Sequence, residues 1–495
     1  MHLFKNIRYT SQFILSNYKK FRSNICNNNL TSLCVKRFLH AYEDESVNED
    51  PSINTEYAEL SNEYLNPAQN GHGVLVLQPF IKWGTDKKRN TKPELQLAEA
   101  EALIRTLPRW TVVDSLCISL MTLKKKKLLG KGNLKMLEER VKQNSRITAV
   151  FVSMNLLRPV QIHQLENVLG VPVYDRYSIV IQIFREHSKT PEAKLQVALA
   201  ELPYIWKKIT WLNEDSEGRI NLSEKRKFVL HARESKLRTA LNKLKEHRKL
   251  IRNNRISKKI PTVAIVGYTN AGKTCLIRAL SNDKSLVPQN KLFATLDTTA
   301  HEGLLPCRLK VLYIDTIGFI QDIPEGLIEP FVATFEDAII ADVIVHVYDA
   351  SHPDKKAQID HVRQTLDNIM TELEIPNKPI IEIANKCDIA PKGSVPDDVT
   401  VISALKLTGI DLLRRQIEKH ILEVTGRKSL KIRVLAGSNI AAWLYKETTV
   451  TDSEADYDNP QYMFITSLVT EEQMHRFKKF IKQQAANRET LFSNK

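Results

Sequence analysis

Apolar residues in the first half of the chain follow two patterns, short continuous runs and helical repeats. The runs GVLVLQPF (73–80), WTVVDSL (110–116), ITAVFVS (147–153) and VPVYD (171–175) predict β-strands. Helical repeats lie between them, over residues 93–107 and from near Lys131, Arg158 and Pro191 onward. Strands that alternate with helices predict an α/β domain with a mainly parallel sheet, over residues 73–205.

The segment from residue 206 to residue 259 has no strand pattern. Leu230, Leu237, Leu244 and Ile251 recur at every seventh position of this segment. That spacing places them in one narrow stripe along a long helix. The stripe is typical of the seam of a helical hairpin or a short coiled coil.

Strands and helices alternate again from residue 260 to residue 425, which predicts a doubly wound domain with a mainly parallel sheet. The following segment, 428–486, contains the strand-like runs LKIRVLA and YMFITSLV with helical patterns around them. It predicts a small α+β domain. A chain of 495 residues is expected to form several domains, so the predicted fold class is multidomain α/β.

The formal net charge of +15 is concentrated in two segments. Residues 1–42 contain seven Lys and Arg residues and no acid, and residues 225–259 contain fourteen against Glu234 and Glu246. A helix as basic as the second segment repels itself unless an anionic partner is near. We therefore expect it to contact the backbone of structured RNA, with a solvated surface helix as the alternative. The candidate RNA-binding residues are Lys225, Arg226, Lys227, Arg233, Lys236, Arg238, Lys243, Lys245, Arg248, Lys249, Arg252 and Arg255.

Residues 1–42 combine basic residues with Phe, Ile, Leu and Ser, and they lack the apolar core of a secretory signal. They fit a mitochondrial transit peptide, with a disordered basic tail as the alternative. The acidic and polar composition that follows predicts a disordered linker over residues 43–72. No stretch approaches the roughly 18 apolar residues of a membrane span. We expect a monomer in the mitochondrial matrix.

The stretch IPTVAIVGYTNAGKTCLIRAL (260–280) contains the pattern G-x-x-x-x-G-K-[ST] between a predicted strand and a predicted helix. Backbone N–H groups of such a loop wrap the phosphates of a nucleotide, and the lysine reaches the β- and γ-phosphates. The residues are Gly267, Tyr268, Thr269, Asn270, Ala271, Gly272, Lys273 and Thr274. Thr274 and Asp315, which ends the strand in LYIDTIG (312–318), are expected to hold Mg²⁺. The Gly318 amide is expected to face the γ-phosphate.

Two further predicted strands end in residues that select guanine. Asp388, at the end of PIIEIANKCD (379–388), is expected to accept from N1–H and the 2-amino group of guanine, a donor pair that adenine lacks. The stem of Lys386 can cover the base, and Asn385 is expected to join this loop to the phosphate loop. The backbone of Ser403, Ala404 and Leu405 is expected to contact the guanine oxygen. The ligands predicted are therefore GTP and GDP.

These motifs, with LFATLDTTAHEG (292–303) and ADVIVHVYDASHP (341–353), resemble the HflX family of translation-factor-related GTPases. Residues 165–205 are similar to the leading domain of that family, and the basic helix follows where the family has its helical hairpin. The transit-like start and LDTTAHEG are most similar to mitochondrial members, the GTP-binding protein 6 type. The resemblance implies a Ras-like GTPase domain and a protein bound to the large ribosomal subunit and its rRNA. In mitochondria such a protein is expected to act in ribosome biogenesis or in subunit splitting.

The chain departs from the family in two places. The glycine-rich loop of bacterial members is replaced by WLNEDSEGRINLSEKRK (211–227), so the resemblance implies ribosome binding more directly than subunit splitting. The stretch from Thr298 to His301 is also altered. We assign the Mg²⁺-contacting threonine to Thr295, with Thr298 and Thr299 as alternatives.

Phe319 follows Gly318, at the position where many GTPases carry a glutamine that orients the attacking water. The family also has an apolar residue there, which implies slow intrinsic hydrolysis completed by the ribosome or an ordered loop. Missing catalytic elements cost roughly 10³–10⁵ in rate.

Asn270 resembles the asparagine of GTPases that seat K⁺ beside the phosphates, and the alternative is that it only shapes the loop. Catalytic roles are assigned to Lys273, Asn270 and Gly318.

Two other functions remain open at the level of sequence. One is a GTP-gated module that binds RNA or ribosomes and hydrolyses GTP only incidentally. The other is an ATP-dependent RNA remodeller, whose second nucleotide site would need LLGKGNLKML (128–137), a weak candidate. Turnover measurements with ribosomes distinguish the first of these from a ribosome-activated enzyme.

Overall fold

The computed structural model describes residues 51–65, 71–82, 91–122, 125, 127–215, 220–257, 260–288, 291–296, 298–320, 338–372, 374, 378–391, 393 and 395–493. The predicted transit segment, 1–42, lies outside these residues. The chain divides into two compact units, Met1–Leu60 and Ser61–Lys495. The first is described from Pro51, where helix α1 (Pro51–Leu65) begins. The contacts below all lie within the second.

Helix α1 corrects the prediction of a disordered linker for residues 51–65. Its last turn is ordered because Leu65 is buried, at 1% exposure, and its carbonyl accepts from the Gln182 side chain at 3.3 Å. Arg185 also donates to the Ser61 hydroxyl at 2.7 Å. These long-range contacts outweigh the polar composition on which the linker prediction rested.

The N-terminal sheet contains four parallel strands in the order β2-β1-β3-β4. They are β1 (Gly73–Ile81), β2 (Thr111–Leu120), β3 (Ala149–Val152) and β4 (Val173–Asp175), and the helices with them are α2 (Pro93–Thr106), α3 (Lys131–Gln143), α4 (Pro159–Leu169) and α5 (Arg176–His187). Strand β1 is buried over most of its length, which explains why its sequence is a continuous apolar run. The predicted mainly parallel sheet is present.

A helical hairpin follows, formed by α6 (Pro191–Asp215) and α7 (Ile220–Ser257). The ring of Trp206 on α6 lies 4.7 Å from that of His231 on α7. Leu230 and Leu237, two members of the predicted stripe, are buried against this packing, together with Val229 and Leu241. Helix α6 begins well before the predicted boundary at residue 206. A buried ion pair between Lys208 on α6 and Asp175 at the end of β4, 3.2 Å apart, joins it to the sheet.

The next sheet contains six strands in the order β10-β9-β8-β5-β7-β6, of which only β6 runs antiparallel to its neighbour. The strands are β5 (Thr262–Gly267), β6 (Thr299–Leu304), β7 (Lys310–Asp315), β8 (Val343–Asp349), β9 (Ile380–Asn385) and β10 (Thr400–Val401). The described helices here are α8 (Lys273–Ser281), α9 (Lys355–Glu372) and α10 (Ile410–Val424). This is the predicted doubly wound arrangement. Because its parallel strands end at one edge, the loops after β5, β7 and β9 lie together.

The C-terminal part is an antiparallel sheet in the order β11-β13-β12, formed by β11 (Lys428–Leu435), β12 (Thr449–Ala455) and β13 (Tyr462–Val469). Helices α11 (Asn439–Glu447) and α12 (Glu471–Ser493) accompany it. Val434, Leu444, Ile465 and Phe477 form its core. The part of the chain that the structure describes contains no helix both long and apolar enough to cross a membrane.

Candidate functional site

The loop between β5 and α8 has the backbone conformation that its glycines permit. Gly272 has φ +96°, and a Cβ atom there would lie 2.3 Å from the Asn385 side-chain nitrogen. Gly318, from the loop after β7, is restricted by space alone, because a Cβ would lie 2.8 Å from the Thr269 Cγ2 and 2.9 Å from the Thr269 Cα. Only glycine allows these three segments to approach so closely. They leave a concave surface at the start of helix α8.

Lys273 lies at the centre of this surface and is 8% exposed. Its Nζ donates to the carbonyl of Tyr268 at 3.0 Å and to that of Gly267 at 3.3 Å. Burial lowers the pKa of Lys273 to about 8, while the Asp315 carboxylate acts in the opposite direction. Among the described residues, Asp315 is the carboxylate that acts on this ammonium, and a bound polyanion would add negative charge and raise the pKa of Lys273 again.

Three oxygen atoms converge beside Lys273. The Asp315 Oδ2 accepts from the Thr274 hydroxyl at 2.8 Å and from the Thr295 hydroxyl at 3.0 Å, and the two hydroxyls are 3.2 Å apart. A carboxylate and two hydroxyls are hard oxygen ligands of the kind that Mg²⁺ prefers, so the predicted residues fit this ion. Thr299, one of the alternatives for the threonine ligand, instead contacts His301 at 2.9 Å. The geometry favours Thr295 over Thr299.

The loops after β9 and β10 are joined to the phosphate loop by Asn385. This side chain is 2% exposed, donates to the Ala271 carbonyl at 2.9 Å and accepts from the Ala404 amide at 3.0 Å. The Asp388 carboxylate accepts from the Ser403 hydroxyl at 2.8 Å, which orients it. Lys386 donates to Asp349 at 2.8 Å. These hydrogen bonds join the loops after β9 and β10 to each other and to the phosphate loop.

A cavity of about 410 Å³ runs between these elements. Its lining includes most of the predicted residues: Thr269, Asn270, Gly272, Lys273, Thr274, Thr295, Gly318, Asn385, Lys386, Asp388, Ser403, Ala404 and Leu405. Cys275, Pro288, Lys291, Phe293, Ala294, Thr316 and Ile389 also line it, and sequence reasoning missed them. Phe293 and Ala294 directly precede Thr295 in the sequence. Their proximity to this predicted metal ligand could have identified them as lining residues.

Four predicted residues, Gly267, Tyr268, Ala271 and Asp315, support the cavity without lining it. The Tyr268 hydroxyl points away from the nucleotide side and donates to Glu99 of helix α2 at 2.6 Å. Asp315 places its carboxylate beside the Thr274 and Thr295 hydroxyls, at the position predicted for Mg²⁺. Gly267, Tyr268 and Ala271 shape the phosphate loop.

Phe319 has a structural role. Its ring is 5% exposed, its N–H donates to the Gly267 carbonyl at 3.1 Å, and its carbonyl accepts from the Thr269 amide at 2.7 Å. These two bonds extend the sheet contacts between the phosphate loop and the loop after β7. Asn270 has φ +61°, a conformation that asparagine tolerates better than most residues, which agrees with a loop-shaping role.

The basic residues of helix α7 lie away from the nucleotide cavity. Lys225, Lys236, Arg238 and Lys243 are exposed, while Lys227 and Arg233 are half-buried. Arg226 is engaged by Glu63 at 3.2 Å and by the Tyr64 hydroxyl at 2.9 Å. The side chains of Lys245, Arg248, Lys249, Arg252 and Arg255 lie outside the described part of the helix.

This arrangement supports phosphoryl transfer from a guanine nucleotide to water. In it Asp388 would read the base, the phosphate loop and Lys273 would hold the phosphates, and Thr274, Thr295 and Asp315 would hold Mg²⁺. The ion, when bound, neutralises charge that develops on the phosphate oxygens. Doubly wound sheet, phosphate loop and guanine-selective loop together define a Ras-like P-loop GTPase, and this confirms the predicted fold class and enzyme activity.

Comparison with known proteins shows which GTPases this chain is similar to. Residues 262–386 match a family model described as "50S ribosome-binding GTPase", and residues 94–185 match "GTP-binding GTPase N-terminal". The chain is 39% identical to human GTP-binding protein 6 over 422 residues, which covers 83% of this chain and 81% of the human protein. It is 35% identical to GTPase HflX of Caldanaerobacter subterraneus over 327 residues, covering 62% of this chain and 74% of that protein.

Among solved structures, a GTP-binding protein from Sulfolobus solfataricus in complex with GDP is 22% identical, with a TM-score of 0.39 and coverage of 71% of this chain and 99% of that chain. The chain belongs to the HflX family of GTPases.

Proposed function

We propose that this ribosome-associated GTPase of the HflX family acts on the mitochondrial ribosome. Its N-terminal domain and the α6–α7 hairpin bind the large subunit and its rRNA, and GTP hydrolysis accompanies ribosome biogenesis or subunit splitting. The observation that carries the proposal is the exposed basic face of helix α7, in the same chain as a guanine-nucleotide site.

The basic face is well placed for RNA phosphates. Lys225, Lys236 and Lys243 are exposed, whereas Leu230 and Leu237 on the opposite side of the helix are buried against the hairpin partner. The stripe thus fixes the rotation of the helix and leaves the lysines in solvent. Lys and Arg contacts to phosphates supply most of the sequence-independent affinity for nucleic acid.

The nucleotide site supports a partner-dependent reaction. Phe319 cannot orient water, and its buried ring and two backbone bonds assign it to the sheet. The ribosome is expected to supply the missing element or to order one. K⁺ beside Asn270 is a second contributor that we include in the proposal, because Asn270 is one of the residues that line the nucleotide cavity.

The mitochondrial location rests on residues 1–42, with seven basic residues and no acid, and on the likeness to GTP-binding protein 6. We propose that this segment is removed after import into the matrix, that the protein acts as a monomer, and that Mg²⁺ is its resident ion. The domain boundaries predicted from the sequence, 73–205, 206–259, 260–425 and 428–486, belong to the same proposal, except that the hairpin begins at Pro191 with helix α6.

The test is GTP turnover by the chain without residues 1–42, alone, with mitochondrial large subunits and with intact mitochondrial ribosomes, in K⁺ and then in Na⁺. We expect large subunits to raise the rate by roughly 10³-fold or more, the range in which a missing catalytic element acts. Cytosolic large subunits at the same RNA concentration are the matched control. A lower rate in Na⁺ would assign part of the reaction to K⁺.

Unchanged turnover with both mitochondrial particles, while GTP still binds, would overturn the ribosome-activated enzyme. A GTP-gated binding module would then be the better description. Equal stimulation by cytosolic and mitochondrial subunits would contradict the mitochondrial assignment and leave the ribosome assignment intact.

A further inference from the structure

The loop that carries Thr295 is docked on the N-terminal domain by Phe293. The Phe293 side chain is 2% exposed, and its ring packs edge-on against that of Phe184 on helix α5, with centroids 5.0 Å apart and planes at 88°. The ring of His187, one turn further along α5, donates from Nδ1 to the Phe293 carbonyl at 2.7 Å. One residue of the nucleotide-binding loop is thus held through both its side chain and its backbone.

A second helix of the N-terminal domain contacts the same loop. The Leu292 amide donates to the Thr106 hydroxyl at the end of helix α2, at 3.3 Å, and Leu292 is 8% exposed. Phe293 itself has φ +52°, a left-handed backbone conformation that is rare for a bulky residue. Such a conformation persists where surrounding contacts enforce it. The contacts of Phe184, His187 and Thr106 do so here.

The docked residue lies beside the proposed metal ligands. Phe293 and Ala294 line the nucleotide cavity, and Thr295 follows at once, with its hydroxyl 3.0 Å from Asp315 and 3.2 Å from that of Thr274. Two residues of extended chain span about 7 Å at most. A displacement of Phe293 is therefore transmitted almost directly to Thr295.

The phosphate loop is attached to helix α2, which is itself paired with α5. Glu99 of α2 accepts from the Tyr268 hydroxyl at 2.6 Å and also pairs with Arg176 at the start of α5. Helix α2 thus contacts both the loop that wraps the phosphates and the loop that bears Thr295, and α5, paired with α2 through Arg176 and Glu99, contacts the second of these loops. They form a common frame for two loops that must keep a fixed separation around Mg²⁺.

We propose that Phe293 is a positioning residue for GTP hydrolysis, seated between Phe184 and His187 of the N-terminal domain so that Thr295 is presented to the magnesium ion. The proposal rests on the assignment of Thr295 as a metal ligand. It makes the N-terminal domain part of the GTPase mechanism, since its helices α2 and α5 set the position of a ligand in the other sheet domain. The competing view is that Phe293 is a core residue whose loss affects only stability.

A double-mutant cycle in the full chain separates the two views. Phe293→Ala, Thr295→Ala and the double variant are compared for kcat, KM for GTP and the Mg²⁺ concentration that gives half the maximal rate. The dissociation rate of a fluorescent GTP analogue, with and without Mg²⁺, provides a readout that does not depend on turnover. Phe477→Ala, at 7% exposure in the C-terminal core, is the control for general loss of stability.

We expect Phe293→Ala to raise the half-saturating Mg²⁺ concentration by roughly tenfold or more and to lower kcat, with a smaller change in KM. When Thr295 is already changed to Ala, Phe293→Ala should lower kcat little further, because both substitutions remove the same contact of Thr295 with Mg²⁺. The fluorescent analogue should lose most of its Mg²⁺-dependent retention. Full additivity of the two substitutions, or an effect equal to that of Phe477→Ala, would overturn the proposal.

The His187 variants keep the test decisive if Phe293→Ala fails to fold. His187→Ala removes the donor to the Phe293 carbonyl, whereas His187→Asn keeps a side-chain N–H near the position of Nδ1. We expect a weaker Mg²⁺ response in His187→Ala and recovery in His187→Asn, with His163→Ala on an exposed position as the control. Equal Mg²⁺ responses in His187→Ala and the unsubstituted chain would contradict the proposal.

Discussion

At the scale of single residues, the nucleotide site depends on places where a side chain would not fit. Gly272 approaches Asn385, which itself bridges the phosphate loop and the Ala404 amide. A methyl group at Gly272 would displace that bridge and so disturb the phosphate and base contacts together. The motif glycine and the asparagine act as one unit, although 113 positions separate them in the sequence.

Gly272→Ala is therefore predicted to abolish GTP binding in the micromolar range. The added Cβ would lie 2.3 Å from the Asn385 nitrogen, and φ +96° is unfavourable for alanine. Binding is measured by titration with a fluorescent GTP analogue. Gly437→Ala is the matched control, since Gly437 also has a positive φ, +71°, but has no atom within 4 Å of the added Cβ. Equal binding by both variants would contradict the steric argument.

At the scale of elements, helix α7 owes its orientation to a few apolar residues. Val229, Leu230, Leu237 and Leu241 are buried, and the heptad spacing predicted Leu230 and Leu237 of this face, whereas Leu244 is only half-buried. The pairing of Arg226 with Glu63 and Tyr64 of α1 was not predictable, because those residues lie in the segment interpreted as a linker.

The exposed lysines of α7 are predicted to contribute directly to the salt dependence of RNA binding. Substitution of Lys225, Lys236 and Lys243 by Gln should lower the slope of log affinity against log salt by about 2 to 3, since each phosphate contact contributes roughly 0.7–0.9. Affinity for large-subunit rRNA is measured between low and physiological salt. Lys478, Lys479 and Lys482 on helix α12, all exposed, are substituted together as the control. An equal change in both variants would show that net charge alone matters.

At the scale of the whole molecule, the N-terminal domain reaches the nucleotide site by two routes, Tyr268 to Glu99 and Phe293 to Phe184 and His187. Whatever binds the N-terminal domain or its hairpin is thereby connected to the loop with Thr295. This connection offers a physical route by which a ribosome could alter turnover without touching GTP.

The basic residues of 1–42 are predicted to drive import of the full chain into isolated, energised mitochondria. A positive charge gains about 2.3 kcal/mol per 100 mV of potential, so charge is the relevant variable. Protease protection and a shift to a shorter chain are measured. A variant with Lys5, Arg8, Lys19, Lys20 and Arg22 all changed to Gln keeps the length and should remain outside. Import of both chains at the same rate would contradict the transit interpretation.

The sequence by itself determined what neighbouring residues do together. The phosphate-loop pattern, the residues around Asp315 and Asp388, the alternation of strands and helices, and the stripe on α7 are each contained in short windows, because hydrogen-bond chemistry and periodic burial act locally along the chain. These features were sufficient for the fold class and for most residues that line the nucleotide cavity.

Only the tertiary structure decided which distant residues complete the site. Phe293 meets His187 across 106 positions, and Tyr268 meets Glu99 across 169. Loops have no periodic pattern of apolar residues, and a contact between two domains depends on where both domains lie. Such a contact therefore cannot be predicted from a short stretch of sequence. The order of helix α1 was decided in the same way, by the burial of Leu65 against residues more than a hundred positions later.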